Sequence, residues 1–201
     1  MLTNHQLTDL AQRMKIPLEG VYFKSQLKDM KLQFNKSYII NLEDEYDSDG
    51  EENLGSHYTT FQYNKYPDGE HKIIYFDSYG VDAPTEVLEF CKVKAIPHNT
   101  KDIQSLMADC CGFYCLAFLH FINAWEGRSK DLYYDCEWFS SLFHDLNVEK
   151  DFKYNEWVLK SFFRSPDDKS PVSIKDVGFK FIPTGGDITS GIADANEITN
   201  Y

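Results

Sequence analysis

The longest charge-free stretch of the chain runs from Cys110 to Trp125, with no Asp, Glu, Lys or Arg in it. A stretch apolar on every side predicts a helix buried at the centre of a domain. It falls short of the roughly 20 residues needed to cross a bilayer. Near the start of the chain, Leu7, Leu10, Ala11 and Met14 repeat at i, i+3, i+4 and i+7, and Thr3 with Gln6 fits a capping box. These predict an amphipathic helix that stops before Pro17. Gly20 to Phe23 is expected to be extended, and Ser25 to Met30 a short helix. Ser37 to Leu42 is apolar and β-rich, which predicts a buried strand. Tyr58 to Tyr63 and His71 to Phe76 flank Pro67-Asp68-Gly69, the pattern of a β-hairpin, and Asp77-Ser78-Tyr79-Gly80 closes its second strand.

Further on, Pro84 to Lys92 reads as a helix, Val93 to Ile96 as a short strand, and Asn99 to Leu106 as a loop with a helical turn. Ser129 to Phe143 and Val148 to Phe163 read as aromatic-rich helices. Beyond Arg164 the composition changes to Pro166, Pro171, Pro183, Gly185-Gly186 and small polar residues, with only Val177 to Ile182 strand-like. The expected organisation is one domain over 1–163 and a tail over 164–201 that is flexible, docking or autoinhibitory. Strands and helices without regular βαβ alternation point to the α+β class.

Composition narrows the partners. The 201 residues are 42% hydrophobic and 15% aromatic, enough for one substantial core. The net charge is −12, and seven of the acidic side chains lie between Glu43 and Glu52. That is the opposite of a nucleic-acid footprint and disfavours DNA and anionic membranes as partners. The five cysteines are odd in number and show no CxxC pairing, so neither a disulfide framework nor a metal site is expected, and the setting is expected to be reducing and intracellular. Met1 to Lys15 lacks the pattern of a targeting leader.

The candidate chemistry is a thiol, an imidazole to take its proton, and a carboxylate to orient the imidazole. Cys111 opens the apolar helix, where the positive end of the helix dipole favours a thiolate. His57 starts one strand of the hairpin and Asp77 ends the other, so antiparallel pairing can bring them together. Gln104, seven residues before Cys111, is placed to offer its amide to a developing oxyanion, with the Cys111 backbone N–H as a second donor. Cys110 competes with Cys111 by adjacency. Cys115 reads as core, Cys91 and Cys136 as inert, His71 as solvent-facing and His120 as a core histidine.

The motifs sharpen this picture. Gly55-Ser56-His57-Tyr58, then Phe76-Asp77-Ser78-Tyr79-Gly80, then Gln104, six residues, and Cys111-Gly112-Phe113-Tyr114-Cys115 stand in that order. Together they resemble the adenovirus-type (adenain-like) maturation cysteine proteases, in the forms carried by virophages and Polinton-type mobile elements. Ile16 to Tyr22 is similar as well, and the likeness extends over roughly residues 1–145. The resemblance implies an adenain/SUMO-protease-like fold, with the cysteine on a buried central helix packed against a small mixed or antiparallel sheet. It implies Cys111 as nucleophile, His57 as general base and then acid, Asp77 as orienting carboxylate and Gln104 in the oxyanion hole. It implies cleavage of viral capsid or core precursors after glycine during particle maturation, in the virion and host-cell interior. Gly185-Gly186 suggests self-processing of the tail. No cofactor is expected, and the acidity argues against the DNA activation known in the adenovirus enzymes. Two rival readings are a SUMO- or ubiquitin-like-modifier protease and an inactive protease-derived capsid-binding protein.

Overall fold

The computed structural model describes residues 2–53, 55–66, 68–106, 108–124, 131–146 and 149–163. The tail over 164–201, including the Val177–Ile182 strand and the Gly185-Gly186 pair, lies outside the described residues. The order is α1 (Asn4–Arg13), β1 (Leu18–Phe23), a 3-10 turn (Lys24–Asp29), β2 (Lys36–Asn41), β3 (Tyr58–Lys65), β4 (His71–Phe76), α2 (Thr85–Cys91), α3 (Cys111–Ala124), α4 (Leu132–Ser141) and α5 (Glu149–Ser161). The four strands form one mixed sheet in the order β1-β2-β3-β4, with β1 parallel to β2 and the other pairs antiparallel. The fold is α+β, with helices on both faces of the sheet.

Covering both faces explains the unbroken apolar runs Tyr38-Ile39-Ile40 in β2 and Ile73-Ile74-Tyr75-Phe76 in β4. On one face Ile39, Tyr58, Ile74 and Phe76 join α1, α3, α4 and α5 in the larger core. On the other, Tyr38, Ile40, Phe61 and Tyr75 pack with Leu27 of the 3-10 turn and with Val87 and Cys91 of α2. The α3 helix is buried from Cys111 to Ile122, and Phe118 stacks on Phe76 at 4.6 Å. Its far end is tied to β3 by reciprocal amide bonds: Asn123 Nδ2 donates to Gln62 Oε1 at 2.7 Å, and Gln62 Nε2 donates to Asn123 Oδ1 at 3.2 Å.

Both ends of α1 follow the sequence. Thr3 and Gln6 form the capping box. Lys15 then turns left-handed (φ 55), letting the Ile16 N–H reach the Ala11 carbonyl at 3.0 Å. Leu7 presses against α3 at Gly112, where an added Cβ would meet Leu7 Cδ2 at 2.9 Å. The glycine after Cys111 is therefore a packing requirement as well as a motif position.

Several boundaries move. Val93–Ile96 is not a strand: Lys92 closes α2 in the left-handed conformation, and the Val93 N–H bonds back to Leu88 O at 3.1 Å as part of that cap. The pairing with β4 comes later, where the Tyr75 N–H donates to Pro97 O at 3.0 Å and His98 bridges Tyr75. The α4 helix starts at Leu132 because Asp131 is its N-cap, accepting from the N–H groups of Tyr133 and Tyr134. Between α2 and α3 the chain is a loop, with one turn closed by Ala108 N–H on Ser105 O.

Helix α3 and the C-terminal helices pin that loop. Tyr114 Oη donates to Ile103 O at 2.9 Å and Asn155 Nδ2 to the same carbonyl at 3.0 Å. The Leu146 N–H donates to Asp102 O at 3.0 Å, and Lys101 Nζ caps the end of α4 through Phe143 O at 3.2 Å. Truncating the centre of the core tests how far this packing carries the fold. Phe118→Ala should lower unfolding free energy by about 3–5 kcal/mol, read from urea denaturation.

Candidate active site

Strand register decides where the imidazole lies. Thr60 pairs with Phe76 and Phe61 with Tyr75. Extending this register past the strand ends sets Thr59 opposite Asp77 and His57 opposite Tyr79. The imidazole accordingly stacks on the Tyr79 ring, with centroids 4.6 Å apart, and reaches diagonally to Asp77, where Nε2 lies 2.9 Å from Oδ1. The neighbourhood of His57 and Asp77 expected from the hairpin is present, as a diagonal pair offset by two residues. The His57 carbonyl accepts from the Leu42 N–H at 2.9 Å, which ties it to β2.

Cys111 reaches the same place from α3. Its sulfur accepts from the Tyr58 N–H at 3.4 Å, while Cys115, one turn on, donates to Tyr58 O at 3.3 Å. The first residue of β3 thus holds both thiols. His57 Nδ1 is buried and has no aligned partner among the described residues. The Cys111 thiol is nonetheless close enough to act on the imidazole by hydrogen bonding and by charge. One ring nitrogen belongs to Asp77, and the other is left for the sulfur.

Burial is the largest single influence on the His57 proton and pushes its pKa down; the hydrogen bonds and charges of Asp77 and Cys111 together outweigh it and leave the pKa raised to about 9. The other cysteines are less suited to chemistry. Burial pushes the thiols of Cys110, Cys115 and Cys136 well up, and Cys91 up to about 12. Those raised values favour the protonated, unreactive thiol. His120 is buried in the core, with its pKa lowered by burial, and His71 is exposed and bonds Tyr63 Oη at 2.7 Å.

Asp77 is buried, and its surroundings are built to hold a carboxylate. Besides His57, Oδ1 accepts from the Tyr79 N–H at 2.8 Å. Asn99 clamps the backbone of the same residue: its Oδ1 accepts from Asp77 N–H at 3.0 Å and its Nδ2 donates to Asp77 O at 2.6 Å. The turn is closed by Gly80 N–H on Asp77 O at 2.9 Å, with Gly80 at φ +70 and so close to Thr100 that an added Cβ would lie 2.7 Å from its carbonyl carbon. No local sequence signal singles out Asn99, since an asparagine between Pro97-His98 and a loop reads as turn chemistry.

Gln104 is buried beside this turn, but its amide hydrogens are both engaged. Nε2 donates to Ala108 O at 2.7 Å and to Tyr79 Oη at 3.2 Å, and Oε1 accepts from Ser78 Oγ at 2.9 Å. Among the described residues no group of three or more His, Cys, Asp or Glu side chains is arranged to hold a metal, and no helix is long and apolar enough to cross a membrane.

No protein-family model matches this chain, and no curated protein matches it.

Removing the clamp leaves the buried N–H of Asp77 without its partner and its carbonyl with the Gly80 N–H alone. Asn99→Ala should therefore destabilise the fold by about 1–3 kcal/mol in chemical denaturation. The raised imidazole pKa has a signed consequence. Its contribution to stability is fully present below the unfolded value of about 6.5 and is lost as pH rises through about 9. Melting temperatures measured from pH 6 to 10 should fall more steeply for wild type than for His57→Gln; parallel curves would refute the assignment.

Proposed function

We propose that this chain is a cysteine endopeptidase in which Cys111 attacks a peptide carbonyl, His57 takes the thiol proton and Asp77 holds the imidazole. One observation carries the reading: Asp77 engages Nε2 of His57 at 2.9 Å, and the buried Nδ1 is left on the side of the Cys111 sulfur. The carboxylate fixes which ring nitrogen faces the sulfur, as the orienting acid does in nucleophilic hydrolases. The S–C bond forms as the carbonyl π pair moves onto oxygen. Collapse of that tetrahedral species breaks the C–N bond, and the imidazolium gives its proton to the leaving amine. Water then hydrolyses the thioester.

The order His57, Asp77, Gln104, Cys111 and the Cys-Gly-x-Tyr-Cys segment support a substrate class. The resemblance to adenovirus-type maturation proteases makes virus-like capsid or core precursors the substrates, cut after glycine.

Iodoacetamide at pH 7 should modify Cys111 ahead of the four other cysteines, which are all buried with raised pKa values. A fluorogenic peptide with a Gly-Gly junction should be cut by wild type and left intact by Cys111→Ala. An unreactive Cys111, mapped by peptide mass spectrometry, would sink the reading.

A further inference from the structure

The outer edge of β4 is paired along only half its length. Tyr75 turns its N–H away from β3 and gives it to Pro97 O at 3.0 Å, and the bridge to His98 is made by the same residue. Backbone polar groups alternate sides along a strand, so Ile73 and His71 face that same outer edge. Among the described residues no strand or bridge meets their half of it. The reason lies in the cap of α2. It draws the Val93 N–H back to Leu88 O at 3.1 Å, and the chain returns to β4 only at Pro97. A wedge of about 280 Å3 is left open, lined by Ile73 of β4, by Val93, Ala95 and Pro97, and by Leu132 and Tyr133 at the start of α4.

The rim of that wedge is apolar and uncovered. Val93 is 36% exposed, Tyr133 47% and Tyr134 57%. These are three of the seven large hydrophobic side chains exposed among the described residues, gathered at one place. An open strand edge beside exposed apolar groups is a template for another strand, and native sheets cover such edges. The space lies at the small end of the range for binding pockets. It suits an extended backbone with one or two side chains, and not a folded domain.

We propose that Val177–Ile182 of the chain's own tail docks there as a fifth strand, paired with the His71–Ile73 half of β4. This run has the sequence pattern of a half-buried strand: Val177, Phe179 and Phe181 alternate with Gly178 and Lys180. A strand gains little by itself and needs a sheet to join. The tail also starts close to the wedge. Phe162 packs on Phe139 of α4 with ring centroids 5.6 Å apart, and Phe139 lies seven residues along that helix from Leu132, roughly 10 Å. The thirteen residues from Arg164 to Asp176 can span up to about 43 Å, so the run reaches the wedge with slack. Main-chain hydrogen bonds to β4 hold the strand, and its phenylalanines cover the apolar rim. None of the wedge residues belongs to the catalytic set, so the docking stands whether or not the chain cleaves peptides. A cut at Gly185-Gly186 falls beyond Ile182 and would leave the docked strand attached.

Hydrogen exchange on the full chain, read by peptide mass spectrometry, tests this. In wild type the amides of 71–73 and of 177–182 should be protected together. Phe179→Asp combined with Phe181→Asp should make both segments exchange at least about tenfold faster, the mark of lost protection. Ala95→Arg, which fills the wedge from an exposed position, should do the same. Protection of β2 and α3 should be unchanged in both variants, which separates undocking from unfolding. Rapid exchange of 177–182 in wild type would overturn the proposal. So would protection of 177–182 that survives Ala95→Arg, since the strand would then lie elsewhere. Protection lost on dilution, with dimers seen by light scattering, would give the wedge to the tail of a second copy and overturn docking within one chain.

Discussion

A carboxylate taken out of water must be repaid by partners, and Asp77, 2% exposed, is where this structure concentrates them. An unpaired ion in such a place would cost several kcal/mol or neutralise itself. Here one oxygen receives both an imidazole and a backbone N–H, while Asn99 fixes the main chain that carries it. The consequence runs outward. The imidazole keeps its orientation because the carboxylate cannot move, and the carboxylate cannot move because an asparagine 22 residues away holds both of its backbone groups.

The 99–104 segment is in turn positioned by three helices, one of which carries Cys111. Asn155 of α5 and Tyr114 of α3 share the Ile103 carbonyl, and Lys101 closes the end of α4. The aromatic packing of Phe118, Phe139 and Phe143 fixes α4 against α3. Core packing and site geometry are therefore one problem: the same helices that bury the apolar face of the sheet hold the loop that holds Asp77.

Much of this was legible in the chain. A run without charges from Cys110 to Trp125 can hardly be anything but interior, and the capping box at Thr3 has a local mechanism that no tertiary context overrode. The hairpin was legible too, because its two β-rich runs are bounded by turn residues. What stayed hidden was register and saturation. Whether His57 faces Asp77 or Tyr79 depends on a two-residue shift of pairing, which the alternation of side chains leaves open. The engagement of both Gln104 hydrogens depends on a carbonyl at Ala108 and a phenol at Tyr79, and long-range bonds of this kind leave no periodic trace. Val93–Ile96 failed for a related reason: the Val93 N–H finishes a helix instead of pairing with a strand.

The contact between Leu7 and Gly112 makes the nucleophile's seat depend on the first helix of the chain. Asn4, on the same helix, accepts from the Tyr58 hydroxyl at 2.8 Å, and Tyr58 is the residue whose N–H meets the Cys111 sulfur. A fragment beginning at β1 would retain every side chain named in the chemistry and still lack the wall behind the thiol. In this architecture α1 serves as a keystone, and whatever displaces it would be felt at the sulfur before it was felt anywhere else.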